Sequence, residues 1–81
     1  MKDNFPAQIL NQMRNFKNYD EECHWRCQMY ILNGFAVGFY DRGKTATVEE
    51  IKRLWNLNES DRLICTDSDI QKMINDVAKF Y

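Results

Sequence analysis

The stretch from Met29 to Tyr40 constrains this chain more than any other part of it. It is apolar almost all round, with Asn33 as its one interruption. A helix of that kind must be covered on most sides, so the stretch predicts the buried centre of a domain. At about a dozen residues it is too short to span a membrane, which takes about 20. Read as part of a helix over 20–42, it places Trp25, Met29, Leu32, Ala36 and Phe39 on one stripe. Cys23, Cys27, Gly34 and Gly38 fall on a neighbouring stripe of small residues. Asp20, Glu21 and Glu22 sit at the start, where negative charge suits the helix dipole. Gly43 follows the end, where a left-handed residue commonly terminates a helix.

Asn33-Gly34 is also a β-hairpin signal. It gives an alternative α+β fold with a hairpin at 29–40, its strands running over 30–32 and 35–37. A half-exposed hairpin should alternate apolar and polar residues, and this stretch does not. The helical reading is therefore preferred.

With one Pro and three Gly in 81 residues, the rest of the chain also favours helices over short strands. The predicted fold is an all-α bundle in one domain, with four main helices at about 5–17, 20–42, 47–57 and 67–80. In the first, Pro6 fits the opening turn, and Ile9, Leu10, Met13 and Phe16 share a face. In the third, Thr47-Val48-Glu49-Glu50 reads as a capping box, and Val48, Ile51, Leu54 and Trp55 form the apolar face. In the fourth, Ile70, Met73, Ile74, Val77 and Tyr81 form the stripe. Residues 58–65 are a connector that Leu63 and Ile64 could anchor.

Residues 32–44, followed by Thr47-Val48-Glu49-Glu50 and Leu54, carry a resemblance. The pattern is similar to that of short phage and prophage accessory proteins. In those a glycine-containing helix ends in a Gly-Lys turn and a Thr-x-Glu-Glu helix returns. The likeness spans residues 32–57 and consists of helix punctuation. It implies a mobile-element protein that binds and modulates a host factor, and it carries over no functional residue.

Charge narrows the partners. The net charge is −1, and neither half of the chain forms a charged arm. A dedicated nucleic-acid binder usually shows a basic excess. A helix-turn-helix made of the last two helices would place Asp67 and Asp69 against phosphates, and its connector is too long for the usual turn. That DNA-binding regulator, with Lys44, Lys52, Arg53 and Arg62 on phosphates, is the second functional reading. Three cysteines do not close a disulfide framework, and the first residues have no apolar signal region. A cytoplasmic protein with free thiols is expected.

Cys23-His24-Trp25-Arg26-Cys27 is the segment nearest to site chemistry. Cys23 and Cys27 lie one helical turn apart, and a zinc ion would need Cys65 and His24 to join them. Adjacent helical residues point about 100° apart, which opposes that convergence. The acids at 20–22 also disfavour a thiolate nucleophile. No catalytic residue, metal site or cofactor is predicted. Gly34 and Gly38 predict close packing against the first or last helix, a homodimer face being the other reading. Aromatics make up 14% of the chain, more than so small a core easily holds. Tryptophan, tyrosine and arginine are the usual anchors of interfaces. The expectation is a non-catalytic module that binds a host or phage protein, with Trp25, Arg26, Tyr40, Arg42, Arg53 and Tyr81 as contact residues.

Overall fold

The computed structural model describes residues 18–81. Three helices make up its regular structure: α1, Tyr19–Asp41; α2, Val48–Asn58; and α3, Asp67–Ala78. Each packs against both of the others. This corrects the expected four-helix count. The expected helix over 5–17, with Ile9, Leu10, Met13 and Phe16, lies outside the described residues.

The hairpin alternative is overturned. α1 runs unbroken for 23 residues through Asn33 and Gly34. The physical reason lies in the stripe. Trp25, Met29, Leu32 and Ala36 are all fully buried in the core, and Phe39 nearly so. A turn at Asn33-Gly34 would scatter those five side chains, whereas the helix aims them all at α2 and α3. The helix starts at Asn18, whose side-chain oxygen accepts from the Glu21 N–H at 2.8 Å. It ends in a Schellman turn: the Gly43 N–H donates to the Tyr40 carbonyl and the Lys44 N–H to the Phe39 carbonyl. Gly43 sits at φ +73°, a conformation that other residues adopt only with strain.

α2 buries Ile51 and Trp55, with Val48 and Leu54 packed at the core's margin. The expected capping box at its start is only half formed. The Thr47 hydroxyl accepts from the Glu50 N–H, but Glu50's carboxylate takes the Thr47 hydroxyl proton rather than its backbone N–H. The complete box stands at the start of α3. There the Thr66 hydroxyl accepts from the Asp69 N–H at 3.1 Å, and Asp69 Oδ2 accepts from the Thr66 N–H at 2.9 Å. α3 buries Ile70, Met73, Ile74 and Val77, as the stripe predicts. Tyr81, the fifth member of that stripe, is exposed instead.

Buried polar side chains hold the connector between α2 and α3. Gln28, 1% exposed, donates from Nε2 to the Arg62 carbonyl and accepts on Oε1 from the Ile64 N–H, both at 2.8 Å. The Trp55 indole donates to the Asp61 carbonyl at 2.8 Å. Asp69, 9% exposed, also accepts from the Trp25 indole at 3.2 Å. Backbone groups beside an apolar core need such partners, because leaving one unmade costs about 1–3 kcal/mol.

Gly34 and Gly38 do not serve close packing against α3. A Cβ at Gly34 meets no described atom within 4 Å, and one at Gly38 meets only the Arg42 guanidinium at 3.5 Å. Gly34→Ala should therefore stabilise the fold by about 1 kcal/mol, the ordinary helical advantage of alanine. Asp69→Ala should cost about 2–4 kcal/mol, since it strips a cap and a buried indole of their acceptor. Asp67→Ala, which removes only an exposed ion pair with Lys52, should cost under about 1 kcal/mol. Urea denaturation of the three variants checks the order.

Candidate functional site

Two surface regions collect side chains with something to offer a partner. The first lies where the end of α1 meets the residues after α3. Tyr81 folds back along α1, its ring stacked on Tyr40 with centroids 5.6 Å apart and planes 18° from parallel. Its hydroxyl donates to Asp41 Oδ1 at 2.8 Å. A helical-type turn sets this up, because the Phe80 N–H donates to the Val77 carbonyl and the Tyr81 N–H to the Ala78 carbonyl. The same turn leaves Phe80 at 61% and Tyr81 at 62% exposure. Arg42 lies over the Phe39 ring at 5.3 Å, a cation–π contact. Lys79 reaches back to Asp76 at 3.5 Å.

Of the six residues the sequence nominates, Tyr40 and Tyr81 come together here, and Arg42 stands at the same end of α1, over Phe39. The other three do not join them. Trp25 is a core residue rather than a surface anchor, fully buried with its indole on Asp69. Its place on the core stripe with Met29, Leu32 and Ala36 decides this. Arg26 pairs with Glu22 one turn earlier, at 3.0 Å. Arg53 stands exposed on α2. Phe80 is not among the six. It continues the 70-73-74-77 spacing, but α3 ends at Ala78, so the spacing no longer aims it at the core.

The second region is a cleft of about 450 Å³ lined by Asp20, Glu21, His24, Arg62 and Ile64. His24 Nε2 lies 3.3 Å from Gln28 Nε2 and 3.8 Å from Asp61 Oδ2. Gln28 was not among the nominated residues. It sits within the apolar stripe, one turn from Trp25 and from Leu32, and a polar residue there marks a buried hydrogen-bonding post.

The cysteines divide rather than converge. Cys65 is buried, its thiol directed at the Trp25 carbonyl and Gln28 Oε1 at 3.9 and 3.8 Å. Cys23 is half-buried and Cys27 exposed. Among the described residues no three of His, Cys, Asp and Glu gather as a metal site would require. The basic residues of the DNA reading are likewise dispersed in role. Lys52 is paired with Asp67 at 3.0 Å and Arg62 lines the cleft beside two carboxylates. No helix among the described residues is long and apolar enough to cross a membrane. No family model, curated protein or solved structure matches the chain.

The Tyr81 phenol is held above the ordinary tyrosine value of 10, first by its hydrogen bond to Asp41, then by desolvation and by the carboxylate's charge. A raised acid pKa means that the folded state favours the protonated form. The contact's contribution is therefore complete below pH 10 and is lost as pH rises through the folded value. Asp41→Ala should bring the phenol back towards 10, read from the Tyr81 ring carbons by NMR titration.

Proposed function

We propose that this chain is a non-catalytic protein-binding module that uses the aromatic end at Tyr40, Phe80 and Tyr81, with Arg42 at the same end of α1 as a further contact. One observation carries the reading: two large aromatic side chains stand more than half exposed on a surface that is already ordered. Single exposed apolar residues are normal on proteins. Here, however, Tyr81 is stacked on Tyr40 and hydrogen-bonded to Asp41, and Phe80 is its chain neighbour. Ordering side chains at an interface costs about 0.5–1.5 kcal/mol each, and stacking meets part of that before the partner arrives. Aromatic and arginine side chains are also those that most often dominate binding energy.

The partner suited to this end is a protein surface with an apolar recess and an acceptor for Arg42. The resemblance at residues 32–57 supports a narrower version, in which a phage or mobile-element accessory protein inhibits or modulates a host factor. Two features weigh against the DNA-binding reading. Asp67 and Asp69 occupy the first turn of α3, the turn that would have to approach phosphates, and the chain carries a net charge of −1.

The test is retention from nuclease-treated host-type lysate on the tagged chain, compared with Phe80→Ala and Tyr81→Ala and with Gln71→Ala as an exposed control. One protein retained by the chain and the control, and reduced at least tenfold by either aromatic variant, is the expected result. Equal retention by all four chains would refute the aromatic end. Recovery of nucleic acid alone, when nuclease is omitted, would favour the DNA reading, and its affinity should then fall with salt.

A further inference from the structure

We infer that His24 is a proton-controlled clasp between α1 and the connector that joins α2 to α3. The inference begins with Gln28, whose two side-chain ends are unambiguous. Its oxygen accepts from the Ile64 N–H and its nitrogen donates to the Arg62 carbonyl. The atom that faces His24 Nε2 at 3.3 Å is therefore the amide nitrogen, a donor. His24 Nε2 can meet it only as an acceptor. The ring in this arrangement is neutral, with its proton on Nδ1.

Protonation reverses the contact. A proton taken from solvent occupies the Nε2 lone pair, and two N–H donors then face each other. The hydrogen bond to Gln28 is lost. The nearest acceptor for the new N–H is Asp61 Oδ2, 3.8 Å away on the connector. A small rotation of the ring closes that gap into a charge-assisted hydrogen bond. Gln28 keeps its bonds to Arg62 and Ile64, so the core is undisturbed. What changes is that the charged ring adds a second hold on the connector, at Asp61, to the one that Gln28 keeps.

The surrounding charges favour this second hold. Asp20 and Glu21 of α1 line the cleft with His24, and Asp61 and Arg62 face it from the connector. Three carboxylates stand against one guanidinium. Exposure allows the exchange, since the His24 side chain is 47% and that of Asp61 69% accessible. Histidine is the side chain that ordinarily changes charge between pH 5 and 8. A proton on His24 thus draws the ring towards Asp61 and adds one positive charge among these carboxylates.

Nitrogen–proton correlation spectra of the full chain between pH 8 and 5.5 test this. The Gln28 side-chain amide and the backbone amides of Asp61 and Arg62 should shift along one curve, the same curve the His24 ring protons follow. In His24→Gln the shared curve should vanish while the dispersed spectrum shows an intact fold. In Asp61→Asn the Gln28 amide should still respond, and the backbone amides at positions 61 and 62 should not. A Gln28 amide that stays fixed while the ring titrates would overturn the clasp. So would a shared curve that survives in His24→Gln, or connector amides that respond unchanged in Asp61→Asn.

Discussion

The Asp69 carboxylate is the contact on which the arrangement of these helices depends. Its Oδ2 receives the Thr66 N–H and the Trp25 indole N–H together. Trp25 is fully buried, so its N–H must find a partner inside the domain. Asp69, in the first turn of α3, supplies one. The same oxygen that caps α3 therefore fixes where α3 begins relative to α1. A buried carboxylate is tolerable under these terms because both of its donors are fixed and one is a free N–H at a helix start, where negative charge is favoured.

Gln28 extends the same logic along the connector. Residues 59–66 contain no regular structure, yet Ile64 and Cys65 lie against the core. Backbone groups there cannot rely on water. Gln28 answers with one donor and one acceptor, spaced as a backbone amide would be, and Trp55 covers the Asp61 carbonyl. Two side chains, through three hydrogen bonds, thus replace the ladder that a helix or strand would have provided. The connector can be irregular because α1 and α2 carry its hydrogen bonds for it.

These facts separate what was legible in the sequence from what was not. The core stripes of α1 and α3 were legible because a 3.6-residue period in large apolar side chains has one packed solution. The boundaries of α1 at 20–42 fell within one residue of Tyr19–Asp41, because Asn18 and Gly43 act through local backbone geometry. The choice between helix and hairpin at Asn33-Gly34 was harder. The dipeptide's local preference competes with packing that only the assembled domain supplies. The capping boxes show the same limit. Thr47 and Glu50 match the pattern, but Glu50's carboxylate settles on the hydroxyl; Thr66 and Asp69 complete a box because Trp25 holds the carboxylate in place. A motif four residues long cannot announce a partner 44 residues away. For the site, Tyr40, Arg42 and Tyr81 were nominated as types of residue, not as neighbours. The meeting of Tyr40 with Tyr81 requires α3 to end beside the end of α1, which is a property of the packing. Trp25 was misplaced on the surface although its own stripe put it in the core: residue type prevailed over position.

The two ends of α1 are built for different kinds of contact, and burial explains the division. Near its start, the helix turns polar side chains inward: Gln28 and the Trp25 indole N–H serve the connector and Asp69. Near its end, it has no connector to hold. The Schellman turn at Gly43 already satisfies the last carbonyls, so Tyr40, Asp41 and Arg42 are available to other side chains. Tyr81 takes two of them, by stacking and by hydrogen bonding. The rings are thereby ordered without being covered. An interior contact of equal strength would have hidden the aromatics, and a disordered tail would have left them exposed without fixing them. Stacking against a helix end at the surface does neither, and it is the arrangement that leaves Phe80 and Tyr81 facing solvent beside an ordered Tyr40.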